Sequence, residues 1–491
     1  MKRTIICLLA ALMTVGVSAK IKLPALVDSN MVLQRNTEVK LWGEASPSKK
    51  VTVTTSWNNK TYYTNSDSEG KWSVMVETTD AGGPYNISIS DGDKVLLDNI
   101  LLGEVWICLG QSNMEMPVGG FVYQPVEGSA QVVSEANLWP QIRMFTVPRA
   151  PSETPLYDTK GVWKTSSPAS VSEFSATGYF FGRMLNQVLN IPIGLITSNW
   201  GGSAIEAWMS EETVNSLQNI NQEVAHQGKG NHNSVARLYN GMIVPLQDFT
   251  AKGFIWYQGC SNRHNWFDYK ELQVAFVKML REKWGNDKMP FYAVQLAPYK
   301  YEGDNLRSLP LVIEAQYQAM AELPYTGIAA TTDIGNRLCI HPEFKKQVGD
   351  RLAWLALAND YAIKGVPASA PTYKSMERKE NKLVLSFNHL SDGSANEPNS
   401  IRGYYKDSYI QPKGFEIAGE DKVFRPAKAN VVWWKNQIEV WSDEVPNPVA
   451  VRYAFVNFPA DANIETTFNL PLVPFRTDNW TIPAEEIGEI K

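Results

Sequence analysis

Residues 103–116 read GEVWICLGQSNMEM, and the fold class turns on them. The apolar run from Val105 to Leu109 has the length and character of a buried strand, and it stops abruptly at Gly110-Gln111-Ser112-Asn113, small and polar residues suited to a tight turn. Ser112 is therefore expected just past the C-terminal edge of a strand. In open α/β sheets that edge is where ligands bind, and a hydroxyl held there on a sharp turn is placed to act as a nucleophile. Taken alone, a Gly-x-Ser is more often an ordinary strand-to-helix turn with a capping serine, so partners elsewhere in the chain must decide. Gly-x-Ser-x-Met also departs from the Gly-x-Ser-x-Gly elbow of α/β-hydrolases, which argues against that fold.

Working outward from this stretch, apolar runs of strand length alternate with longer amphipathic stretches from Leu101 to about Lys364, the signature of βαβ units around a parallel sheet. Strands are predicted at residues 193–196 and 253–257, and helices over 176–189, 269–284 and 345–359. Residues 119–175 are rich in Pro, Ser and Thr and read as long loops covering the site. Before this region the period is two: Val51 and Val53, then Trp72, Val74 and Val76, then Tyr85, Ile87 and Ile89, with turn clusters between them. That pattern predicts a small β-sandwich. After Gly365 the alternation returns, at Leu383, Leu385 and Phe387, at Ile438 and Val440, and at Val449, Val451, Tyr453 and Phe455. The expected division is a signal segment at 1–19, an N-terminal β-sandwich at 20–100, an α/β domain at 101–365 and a β-rich region at 366–491.

With 491 residues, 44% of them hydrophobic and 20% charged, the chain has the composition of a globular protein long enough for several domains. A net charge of −5 leaves no electrostatic footprint for nucleic acid. Lys2 and Arg3, the apolar run from Ile5 to Val17, and Val17-Ser18-Ala19 read as a signal peptide cut after Ala19, so the mature chain is expected to be secreted or periplasmic. No later stretch reaches the roughly 18 uninterrupted apolar residues of a membrane span. Cys108, Cys260 and Cys339 then lie in an oxidising compartment, where one pair and one leftover is the simplest arithmetic.

A serine that attacks an acyl group needs a base, and its tetrahedral intermediate needs hydrogen-bond donors. Three later segments offer them, each after a predicted strand. Gly201 and Gly202, within Ser198-Asn199-Trp200-Gly201-Gly202-Ser203, let a backbone N–H approach a ligand closely. Gln258 carries an amide that can donate to the oxyanion. Among five histidines, His341 alone lies between a strand-like run and a predicted helix, which makes it the candidate base. No His/Asp/Glu cluster has ligand spacing, so no metal and no cofactor is expected.

GEVWICLGQSNMEM, SNWGGSAIEAWMS, LYNGMIVPL, GFIWYQGCSN and IHPEFKKQVGDRLA follow one another in the order in which they occur in the sialate O-acetylesterase family of SGNH-type hydrolases, which the chain resembles. The likeness extends to GFEIAG, VAVRYAF and PFRTDNW near the C-terminus, so it covers most of the mature chain. It implies a flavodoxin-like catalytic domain flanked by β-domains, and removal of O-acetyl groups from sugars, 9-O-acetylated sialic acid foremost. Acetylxylan or another acetylated polysaccharide is the alternative substrate, and a carbohydrate-binding protein that has lost catalysis is the alternative class. The resemblance makes Ser112 the nucleophile and His341 the base, with the Ser112 N–H, Gly201 or Gly202, and Gln258 as the oxyanion hole. The chain carries Cys260 where the family often has Glu, and Cys339 where it often has the Asp that partners the histidine. Because the resemblance sets both cysteines beside one site in an exported chain, a Cys260–Cys339 disulfide is expected. The imidazole would then be oriented by a backbone carbonyl or by Asp333, the nearest upstream carboxylate.

Overall fold

Residues 103–110 are the second half of a long strand, β1 (Lys94–Gly110), whose burial changes along its length. Up to Asp98 polar and apolar residues mix, as suits a strand with one solvated face, whereas every residue from Ile100 to Gly110 is buried. The first half pairs antiparallel with Gly82–Ser90 and parallel with Val32–Gln34. The second half is a central strand of a parallel sheet. The protein is described here by a computed structural model covering residues 21–228, 231–391, 399–404 and 411–488; the expected signal segment lies outside the described residues.

The parallel sheet is completed by β2 (Ile142–Thr146), β3 (Ile193–Asn199), β4 (Gly253–Tyr257), β5 (Phe291–Val294) and β6 (Thr326–Ala329), in the order β2-β3-β1-β4-β5-β6. With the edge strand β2 set aside, this is the doubly wound order 2-1-3-4-5. Its direction of progression reverses between β1 and β4, so a crevice is expected at the C-terminal ends of those two strands. One-turn helix α1 (Ser112–Glu115) leaves β1 there. Helices α2 (Ala176–Leu189) and α5 (Lys345–Asn359) pack together, as do α3 (Trp266–Lys283) and α4 (Ser308–Glu322). The contact of α2 with α5 is close because Gly349 has no side chain; a Cβ there would lie 2.5 Å from Phe180 Cβ. Among the described residues, no helix is long and apolar enough to cross a membrane.

The molecule is thus mixed α/β, a large mixed sheet with separate antiparallel sheets. The expected boundary at residue 100 falls inside β1, and one contiguous core runs from Ile21 to Leu357. The chain beyond residue 366 has a core of its own, built by two four-stranded antiparallel sheets. Arginines fasten it to the α/β part: Arg307 bonds to Glu416, Glu486 and the Phe455 carbonyl, and Arg476 grips Glu314 with two bonds of 2.9 and 2.8 Å.

Candidate active site

The turn after β1 is forced by contact with β4. Gly110 has φ of +150°, and a Cβ there would lie 2.3 Å from the Tyr257 carbonyl oxygen. Gln111 N–H donates to the same carbonyl (3.0 Å), and Gln111 Oε1 accepts from Gly259 N–H (2.9 Å). The two strand ends are tied together, and the chain emerges from the tie at Ser112.

His341, on the loop between β6 and α5, lies with Nε2 2.7 Å from Ser112 Oγ. Its Nδ1 lies 2.7 Å from Gln124 Oε1. An amide oxygen only accepts, so the proton of the neutral ring sits on Nδ1 and the Nε2 lone pair faces the serine hydroxyl. Gln124 is fixed by a tight turn in which Phe121 and Gln124 exchange backbone hydrogen bonds of 3.0 and 2.9 Å, and the Phe121 ring stands edge-on to the imidazole at 5.3 Å. Burial, and secondarily the charge of Lys345, push the His341 pKa down to about 4, so the ring is neutral at ordinary pH.

Ser112 and His341 open into a cleft of about 720 Å³, bordered also by Gly202, Gln227, Asn231 and Ser261. The N–H groups of Ser112 and Gly202 have no acceptor among the described residues. A neutral base against a hydroxyl, beside two unpaired donors, is an arrangement able to carry out acyl transfer.

Residues 102–358, more than half of the chain, match the family model described as carbohydrate esterase, sialic acid-specific acetylesterase. The chain belongs to that family. It is a carboxylic ester hydrolase. Sialate O-acetylesterase of Mus musculus is 26% identical over 525 residues, covering 91% of this chain and 93% of the mouse protein. The Homo sapiens sialate O-acetylesterase is 27% identical over 482 residues, covering 89% and 87%. A carbohydrate acetylesterase from Xanthomonas citri has a similar structure, with a TM-score of 0.84 and 36% identity over 94% of this chain and 100% of that one.

Several side chains of the esterase are not where the sequence reading put them. Asp333 does not reach His341: both its oxygens go to Arg351, at 2.7 and 2.6 Å, and Gln124 takes the imidazole instead. Cys260 and Cys339 are free thiols, as is Cys108. Cys339 turns toward its own loop, its Sγ donating to the His341 carbonyl at 3.2 Å. Gln258 is wholly buried, with Nε2 donating to Ser203 O and Asn262 Oδ1 and Oε1 accepting from Tyr269. Its amide has no donor left for an oxyanion, and it braces the loop under the cleft. Gly201 N–H is also committed, to Glu115 Oε2 at 2.8 Å, which leaves Gly202 as the loop's available donor.

Two residues that the sequence pattern does not single out also bond at the site. Glu115 holds Gly201 and is itself gripped by Arg149 with two bonds of 2.8 Å. Its position three residues after Ser112, on the same helical face, is the signal that could have found it. Gln124 has no such signal, because nothing in a loop glutamine announces a histidine 217 positions away.

Proposed function

We propose that the esterase hydrolyses O-acetyl esters of carbohydrate, with 9-O-acetylated sialic acid as its substrate, through an acetyl-enzyme on Ser112. His341 Nε2 accepts the Ser112 proton as Oγ attacks the acetyl carbonyl. The resulting oxyanion lies toward the N–H groups of Ser112 and Gly202. Collapse of the tetrahedral intermediate breaks the bond to the sugar oxygen, which takes the proton from His341. Water, deprotonated by His341, then attacks the acetyl-serine, and acetate leaves as Ser112 regains its proton.

The observation that carries this reading is the Gln124–His341–Ser112 relay, with both contacts at 2.7 Å. The amides and hydroxyl at the cleft wall, Gln227, Asn231 and Ser261, are groups that pair with sugar hydroxyls. The strand order supports assignment of the catalytic part to the flavodoxin-like SGNH type, and the sequence of residues 1–19 supports export to the periplasm or beyond. The test is acetate release from 9-O-acetylated sialic acid and from acetylated xylan, by the wild type and by Ser112→Ala. Release from the sialic acid at the higher kcat/KM, with a loss of about 10⁴-fold to 10⁶-fold in the variant, supports the proposal. Faster release from xylan overturns the substrate, and retained activity in the variant overturns the nucleophile.

A further inference from the structure

Lys345, the first residue of α5, is completely buried. Removing an ammonium group from water costs several kcal/mol unless it is paired, yet among the described residues no carboxylate lies within ion-pair distance of it. Its Nζ donates to Asn113 Oδ1 at 2.5 Å and stands 5.6 Å from the centre of the Tyr257 ring. A methionine or leucine would fill the same space without that cost, so the reason for an amine must lie in what it holds.

It holds the residue next to the nucleophile. Asn113 follows Ser112, and its Nδ2 donates to the carbonyl of Ile340 at 3.0 Å, the residue before His341. An ammonium can only donate, so charged Lys345 settles which way round the Asn113 amide sits: the oxygen must face the lysine, and the nitrogen must then face Ile340. Without that donor the buried amide oxygen would be unpaired, and the amide would be free to turn its acceptor onto another acceptor.

We propose that Lys345 is a positioning residue of the esterase, which through Asn113 latches the turn carrying Ser112 to the loop carrying His341. The proposal rests on the Ser112–His341 reading above. The latch replaces mechanically part of what a carboxylate on the imidazole would supply, since among the described residues the neutral Gln124 is the only side chain on Nδ1. Lys345 also acts on the base through its charge. The groups that face the lysine are Cys339 and Glu343 of its own loop, Cys260 after β4, and Tyr257 at the end of β4, while His341 feels burial and the lysine. Burial pushes Lys345 down to about 7, so it is charged across the acidic range in which His341 must stay unprotonated.

Two variants separate the latch from the charge. Lys345→Gln keeps a donor and loses the charge; Lys345→Met loses both. With 4-nitrophenyl acetate, Lys345→Met is expected to lower kcat by about tenfold to a hundredfold, the cost of a misplaced catalytic pair, with KM within about twofold. Lys345→Gln should restore part of that loss. In both variants the acid limb of kcat/KM should move up by as much as about one pH unit, because a like charge near the imidazole has gone. A lysine that only fills space would lower thermal stability and leave the acid limb and the kcat of the folded enzyme unchanged, and that result overturns the proposal. If Lys345→Met fails to fold, the kcat of Lys345→Gln decides: a fall at constant KM supports the latch, and an unchanged kcat overturns it. Ser112→Ala run alongside keeps the two readings apart: activity that survives it refutes the nucleophile, whereas activity lost there with unaltered Lys345 variants refutes the latch alone.

Discussion

Gln124→Glu would install the acid that the relay lacks. The new carboxylate would sit 2.7 Å from His341 Nδ1, where Gln124 Oε1 now accepts. Two unit charges about 4 Å apart attract by ~4 kcal/mol at an effective dielectric of about 20. That is an upper bound of ~3 pK units, and desolvation of the carboxylate on a half-buried hairpin brings the expected rise to about one to two. His341 starts near 4 and should move to about 5 to 6. The sign follows directly. A raised pKa keeps the imidazole protonated to higher pH, so activity near pH 5 should fall. Above pH 7 the base is unprotonated in both enzymes and stronger in the variant, so kcat there should rise several-fold. The assay is the pH dependence of kcat/KM with 4-nitrophenyl acetate between pH 3.5 and 8.5. An acid limb that stays in place, or a kcat that falls at pH 8, would refute the claim that Gln124 orients the catalytic base.

Three further outcomes are expected. Asp333→Ala strands Arg351, whose side chain is only 6% exposed, and should cost about 3 to 5 kcal/mol of stability by thermal or denaturant unfolding, while the pH–rate profile of the folded enzyme stays put. A collapse of kcat with normal stability would make Asp333 catalytic after all. Thiol titration of the denatured, unreduced protein should find Cys108, Cys260 and Cys339 all reactive; two missing thiols would mean that a bridge forms. Gln258→Ala leaves partners of a buried amide unpaired, at about 1 to 3 kcal/mol each, so urea unfolding should shift to lower concentration. The kcat of the folded variant should drop less than the 10²-fold to 10³-fold typical of a lost oxyanion donor.

The parts of the site that sequence could reach are those announced by local pattern. Ser112 is marked by an apolar run that ends in a glycine turn, and His341 by its place between a strand-like run and a helix; the structure puts them 2.7 Å apart. The predicted helices at 176–189 and 345–359 coincide with α2 and α5, both long runs without a proline. Strand β5 and helix α4 are not marked in the sequence: β5 has four residues, and α4 carries Pro310 in its first turn. Strand β2 lies inside a stretch read as loop, where five residues among prolines and serines give too short a window for a period to show.

Sequence by itself determined the alternating α/β order, the serine at a strand's end and the histidine before a helix, since each follows from neighbours within a few residues. Only the tertiary structure decided which side chains complete the site. Gln124 rather than Asp333 meets the imidazole, Gly202 rather than Gly201 or Gln258 keeps a free N–H, the cysteines stay apart, and one strand carries the chain through the expected domain boundary. These are questions of which hydrogen-bond partners the fold brings into reach, across 18 residues for Asp333 and Arg351 and across 217 for Gln124 and His341. A buried donor or acceptor takes the partner that packing brings to it, and that partner leaves no trace in the spacing of the chain.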